Sequence, residues 1–143
     1  MKIAIGSDHA GYQLKLAVVE LLKARGIEVE DFGTHSEEST DYPDYAHPVA
    51  NSVESKEADL GIVICGSGNG INMAVNKHQG IRSALCWAPE LAEMARLHNN
   101  ANVLALPARY IPQETALKCV EVFLDTDFEG GRHERRVNKI ACS

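Results

Sequence analysis

Leu60-Gly61-Ile62-Val63-Ile64-Cys65 runs straight into Gly66-Ser67-Gly68-Asn69-Gly70, and the reading of this stretch decides the fold. An unbroken apolar run of that length suits a central parallel strand covered on both faces better than a hairpin strand with one wet face. The glycines that follow read as a strand-to-helix turn, and Ile71 to Lys77 as a helix closed by Gly80. Upstream, Lys2 to Ile5 is a short β-prone strand that breaks at Gly6-Ser7-Asp8-His9-Ala10-Gly11. Leu14, Ala17, Val18, Leu21 and Leu22 then share one helical face until Arg25-Gly26. Ile27, Val29 and Phe32 alternate with acidic residues as a half-buried strand. Gly33 to Tyr42 is a polar loop, and a helix follows Pro43 from near Tyr45 to Glu54.

Downstream the alternation continues. Ile81 to Cys86 predicts a strand, Pro89 to Asn99 a helix and Val103 to Leu106 a strand, with Ala116, Val120, Phe123 and Leu124 on the inward face of another helix. The tail from about Phe128 ends in a short helix beginning near Gly131. The pattern predicts an α/β fold: a single doubly wound (Rossmann-like) domain over residues 1–143, with a five-stranded parallel sheet flanked by helices. In such sheets ligands bind beyond the carboxyl ends of the strands. Ser7-Asp8-His9, Cys65 to Gly70 and Pro107-Ala108-Arg109 lie at three such ends, where they can converge on one crevice, and Trp87 falls just past the fourth strand on the same side.

The chain has 143 residues, 45% hydrophobic and 24% charged, as expected of a globular domain that needs no disulfide or structural metal. A formal charge of -6 implies no polyanion-binding surface, and no nucleic-acid motif is present. No apolar run approaches the ~20 residues of a membrane span, and the N-terminus reaches Gly6 too soon for a signal peptide, so no membrane partner and a cytoplasmic location are expected. Cys65, Cys86, Cys119 and Cys142 form no C-x-x-C pair and read as reduced thiols. The histidines form no H-x-H or H-E-x-x-H pattern, so no metal and no cofactor are expected.

Several residues carry chemistry in this pattern, each with a plainer alternative. Gly66, Gly68 and Gly70 let a backbone approach a ligand, and the amides opening the next helix form an oxyanion site; the same glycines also suit a simple tight turn. Cys65, ahead of that helix, is a candidate base whose pKa the helix dipole would lower, or else a small core residue. Cys86 and Cys119 read as core, and Cys142 as a tail thiol. His98 shares the Leu91, Met94, Ala95 face and is expected to point inward near the helix end, as an acid or base or as a core histidine. Asp8-His9 pairs a carboxylate with an imidazole in a glycine-flanked loop, which could equally be a solvated turn. Arg132 and Arg136, four apart with His133 between them, could grip one phosphate, with Arg109 a third cation; a solvated basic helix end is the competing reading.

Taken together, Gly6-Ser7-Asp8-His9-Ala10-Gly11, Thr40-Asp41-Tyr42-Pro43, Ile64-Cys65-Gly66-Ser67-Gly68-Asn69-Gly70, His98-Asn99-Asn100-Ala101-Asn102-Val103 and Glu129-Gly130-Gly131-Arg132-His133-Glu134-Arg135-Arg136 resemble the type B ribose-5-phosphate isomerases over essentially the entire chain. The resemblance implies a metal-free aldose–ketose isomerase that interconverts ribose 5-phosphate and ribulose 5-phosphate through an enediolate. It implies Cys65 as the base, with Ser67 and the amides of Gly66 to Gly70 holding the enediolate oxygens, Asn69 among the substrate-binding residues, and His98 as the acid that opens the furanose. Asp8 would bond hydroxyls or assist opening, His9 would bind substrate, and Asn99 would position the open chain. Arg109, Arg132 and Arg136 would gather the phosphate, assisted by His133. Ser67 stands where some relatives carry Thr, which keeps the hydroxyl. Family members are homodimers or dimers of dimers with sites at the interface, so the partners implied are a sugar phosphate and a second copy of the chain. The alternatives are an isomerase of a hexose 6-phosphate, allose or galactose, and a sugar-phosphate-binding module without turnover.

Overall fold

Among residues 1–142, which the computed structural model describes, five strands alternate with helices. The strands are β1 (Lys2–Ser7), β2 (Glu28–Asp31), β3 (Leu60–Cys65), β4 (Ser83–Leu85) and β5 (Val103–Pro107). The helices are α1 (Tyr12–Ala24), α2 (Pro43–Glu54), α3 (Asn69–Val75), α4 (Pro89–Asn99), α5 (Gln113–Asp125) and α6 (Arg132–Val137), with a 3-10 turn at His9–Gly11. All pairings are parallel, in the order β2-β1-β3-β5-β4, which puts the Leu60–Cys65 run at the centre of the sheet.

Strand alternation sorts the core into two layers. Ile62 and Ile64 pack with Leu14, Val18 and Leu22 of α1, Ala92 and Ala95 of α4, and Ala116, Val120 and Phe123 of α5. Val63 and Cys65 point the other way, onto Val49 and Val53 of α2 and Ile71 and Val75 of α3. Burying each such Val, Leu or Ile contributes about 1.5–3 kcal/mol, so the central run is held from both sides. Lys15 is fully buried on the inner side of α1, where its Nζ donates to both carboxylate oxygens of Asp31 at 2.7 Å.

Element boundaries depart from expectation at a few points, each with a local cause. α2 begins at Pro43 rather than Tyr45, because a proline needs no hydrogen bond for its nitrogen in the first turn. β4 is only three residues long: the Ile81 amide donates to the His78 carbonyl and the Arg82 amide to Asn102 Oδ1, so neither joins the ladder. α4 also turns a different face inward than the Leu91, Met94, Ala95, His98 spacing suggests. Its buried residues are Ala92 and Ala95, whose small side chains let it lie close against α5, and Leu91 and Met94 are carried to the rim.

This winding makes the crevice. The chain leaves β1 and β5 toward the layer of α1 and α5 but leaves β3 toward the layer of α3, so gaps open on both sides of Cys65. No described helix is long and apolar enough to cross a membrane.

Candidate active site

Cys65 ends β3 as a buried thiol, and the next turn wraps backbone amides around it. Gly68 takes the left-handed conformation, φ +76°, and starts α3, which turns the amides of Gly68, Gly70 and Ile71 toward the sulfur. Burial pushes the Cys65 thiol above its usual range; the Ile71, Gly68 and Gly70 amides pull it back, while the Asp8 carboxylate pushes it further up. The lowered thiol expected from a helix dipole is therefore corrected: burial outweighs the amides here. The amides remain aimed at a place where negative charge can develop.

The flanking loops are stitched to this turn. The Asp8 amide donates to the Ile64 carbonyl at 3.3 Å, and Asp8 Oδ1 accepts from the Gly11 amide at 3.2 Å, which fixes the buried carboxylate beside β3. His9 Nδ1 accepts from the Thr40 amide at 3.2 Å, leaving Nε2 free to donate. On the other side, the Ala108 and Arg109 amides donate to the Cys65 and Gly66 carbonyls at 2.9 Å. The Arg109 side chain lies over Gly66, so close that a Cβ there would be 3.1 Å from Nη1. Ser67 Oγ accepts from the amide and side chain of Asn69 at 3.3 Å.

A pocket of about 600 Å³ opens here, lined by Ser67, Asn69, Leu85, Trp87, Pro107 and Tyr110. That is ample for a small phosphorylated metabolite. Trp87 is on this side, as expected. Tyr42, Leu85 and Tyr110 were not singled out from sequence as lining residues. Tyr42 covers Gly70 so tightly that a Cβ there would lie 2.6 Å from its ring, and the signal for it was its place in Thr40-Asp41-Tyr42-Pro43.

The remaining candidates gather elsewhere. Pro89 and Asn99 are the two ends of the 11-residue α4, so the helix carries His98 and Asn99 about 15 Å back along the sheet. There the Asn100 carbonyl accepts from Arg82 Nε at 2.9 Å, and the Asn102 amide donates to the Arg82 carbonyl at 3.0 Å, just ahead of β4 and β5. His98 is not directed into the core. Its ring is half-exposed and stacks on His133 of α6, with centroids 4.2 Å apart and planes 14° apart. Asn99 lines a small depression with Arg82, Ser83 and Ile140. Arg132 and Arg136 are exposed on α6, one turn apart, with Arg136 Nη1 donating to the Arg132 carbonyl at 3.5 Å. Thus one chain holds Asp8, His9, Cys65 to Gly70 and Arg109 at the carboxyl end of the sheet and His98, Asn99, Arg132, His133 and Arg136 at the opposite end.

Glu129, also missed from sequence, faces both imidazoles: its carboxylate lies 3.9 Å from His98 Nε2 and 3.8 Å from His133 Nε2. Among the described residues this is the one trio whose donor atoms lie close enough for a metal, all within 4.8 Å. Its near-parallel rings and the adjoining Arg132 and Arg136 oppose a cation. Burial first, then His98, then the two arginines lower the His133 pKa, and Glu129 opposes them.

The chain is similar to known proteins over nearly its whole length. The family model described as Ribose/Galactose Isomerase matches residues 3–140. Ribose-5-phosphate isomerase B of Escherichia coli (strain K12) is 49% identical over 141 residues, 99% of this chain and 95% of that protein. The structure of Clostridium thermocellum ribose-5-phosphate isomerase B superposes with a TM-score of 0.97 at 54% identity, covering 98% of this chain and 95% of that one. That of the Mycoplasma genitalium enzyme, with ribulose-5-phosphate bound, gives a TM-score of 0.93 at 45% identity, covering 97% and 93%. With nearly the whole length shared in sequence and in fold, the chain belongs to the ribose/galactose isomerase family.

Proposed function

We propose that this protein, acting as a single-domain subunit, interconverts ribose 5-phosphate and ribulose 5-phosphate through an enediolate, with Cys65 as the base and no metal. The observation that carries the reading is the Cys65 thiol ringed by the Gly68, Gly70 and Ile71 amides, two residues ahead of Ser67, which lines the pocket. Enediolate formation breaks the C–H bond alpha to the carbonyl. The proton goes to Sγ, and the electron pair is delocalised onto the carbonyl oxygen. Each preorganised donor aimed at that oxygen contributes about 3–4 kcal/mol to lowering the barrier. A buried thiol with a raised pKa is a strong base once ionised, which suits a weakly acidic carbon.

Before that step the furanose must open. The C1–O4 bond breaks, O4 takes a proton from His98, and the O1 proton leaves to a base, for which the buried Asp8 is suitably placed. His98 and Cys65 lie at opposite ends of one chain, so we read the active form as a homodimer in which each site joins Cys65, Ser67, Asn69 and Asp8 of one subunit to His98, Asn99, Arg132, His133 and Arg136 of its partner. A two-fold axis completes both sites at once, and exposed Trp87 and Tyr110 at the pocket rim suit the contact. Four free thiols fit a reducing cytoplasm.

The test is ketopentose formation from ribose 5-phosphate in EDTA, with Cys65→Ala as the paired control and a folding check on both. Chelator-insensitive turnover that the variant loses supports the reading. No turnover by folded wild-type protein overturns it. Hexose 6-phosphates, the alternative substrates, are then compared by kcat/KM.

A further inference from the structure

We propose that Glu129 is the positioning residue of the ring-opening half-site: it holds the His98 and His133 imidazoles as one stacked unit with both Nε2 atoms on a common side. This rests on the isomerase reading above and assigns a role to a residue that reading leaves unused.

The geometry is specific. The carboxylate oxygens divide between the two rings, Oε2 toward His98 and Oε1 toward His133, at 3.9 and 3.8 Å. These are charge contacts, longer than hydrogen bonds, so a small movement of either partner can close or open them. His133 is nine-tenths buried, and its Nε2 has no hydrogen-bond partner. A buried imidazole nitrogen left open in this way is costly unless a group completes it during function. Glu129 is the anion nearest that nitrogen, and it reaches His98 as well.

The backbone fixes where the carboxylate sits. The Glu129 amide donates to the Leu97 carbonyl at 3.1 Å, so the residue is docked onto the last turn of α4 beside His98. Gly130 and Gly131, at φ +72° and +56°, then turn the chain into α6, and the His133 amide donates to the Gly130 carbonyl at 3.1 Å. One short loop therefore sets Glu129, His98 and His133 relative to one another. The surrounding charges are Arg132 and Arg136 on α6 and, on the preceding turn of α4, Arg96 with Asp127 near it. In this mostly cationic setting one carboxylate shared by two rings allows the stack to carry one proton without adding net charge. Removing the carboxylate frees the half-exposed His98 ring to turn, so its acidic N–H is no longer held in a fixed direction.

Ring opening can be separated from proton transfer at carbon. Ribulose 5-phosphate has no free C5 hydroxyl and cannot form a furanose, so exchange of its C1 hydrogen with D2O requires bound substrate and the Cys65 base but no ring-opening acid. Conversion of ribose 5-phosphate requires both halves. Glu129→Gln is expected to lower kcat for ribose 5-phosphate about ten-fold or more, with KM changed less than about three-fold, while C1 exchange on ribulose 5-phosphate stays within about two-fold of wild type. Glu129→Asp is expected to restore most of the lost kcat. Unchanged conversion in Glu129→Gln overturns the proposal, as does an equal fall in conversion and exchange, which marks a merely structural role. A wild-type protein inactive in both assays refutes the isomerase reading instead, and is recognised because no variant is needed to see it.

Discussion

Mixing two inactive variants tests the split site directly. Cys65→Ala removes the proposed base, and His98→Asn the proposed ring-opening acid; each is expected to fall at least 100-fold below wild type, the usual range for loss of such groups. α4 spans about 15 Å and carries His98 away from the end of the sheet where Cys65 lies, and the rescue expected on mixing rests on that separation together with the proposed dimer. In a heterodimer with sites shared across a two-fold axis, one site receives both substitutions and the other receives neither. Random reassociation makes about half of the dimers heterodimers, each with one intact site, so the mixture should recover about a quarter of wild-type activity. The assay is ketopentose formation after co-refolding or subunit exchange, with each variant alone as background. If both residues served a site within one chain, every site in the mixture would carry one lesion. No recovery above background, in a sample where mass spectrometry finds heterodimers, would refute the shared site.

Three further outcomes follow from local physics. Gly68→Ala places a Cβ against Leu85 Cδ1 and 3.2 Å from the Leu106 backbone at φ +76°, and should lose roughly 1–3 kcal/mol in chemical denaturation; a loss below about 0.5 would show that the turn relaxes freely. Alkylation of Cys65 by iodoacetamide, followed by peptide mass spectrometry to separate it from exposed Cys142, should keep accelerating above the ordinary thiol pKa of about 8.5, because burial holds it protonated; a plateau near pH 7 would contradict that. Burial pushes Cys86 up to about 12 and Cys119 to about 11, so between about pH 8.5 and 11 the folded chain holds protons that the unfolded chain releases. Stability therefore falls as pH rises, by about 3 kcal/mol between pH 7.5 and 9.5 from these two thiols, and Cys119→Ala should remove about half of that slope.

The legible parts of the sequence were those whose physics is local. Leu60–Cys65 could be read as a central strand because an apolar run needs cover on both faces, and Gly66 to Gly70 as a turn because Gly68 must take a positive φ. The convergence of Asp8, Cys65 and Arg109 was also readable, since parallel strands deliver their carboxyl ends to one edge. The orientation of His98 was not. Periodicity identifies a face of α4, but only packing decides that small Ala92 and Ala95 take the inside while Leu91, Met94 and His98 go to the rim. Glu129 escaped for a related reason: it meets His98 only through the fold, across a loop whose spacing carries no helical period.

The same winding that builds the crevice accounts for the division of the site. In a right-handed β-α-β unit the helix must run antiparallel to its strands, so residues closing a helix arrive at the end of the sheet opposite to those closing a strand. Cys65 closes a strand and His98 closes a helix, hence no loop rearrangement short of unfolding α4 brings them together within a subunit. On the proposed reading, substrate turnover is thereby tied to association. A subunit alone holds Cys65 with amides around it but His98 at the far end of the sheet, and its aromatic residues Trp87 and Tyr110 are exposed. In the proposed dimer, pairing would cover that rim while bringing His98, Arg132 and Arg136 of one subunit to Cys65 of the other. The burial that raises the Cys65 pKa is already present within one subunit, so the base is prepared by the fold itself, and in the proposed dimer pairing would add only the residues at the other end of the sheet.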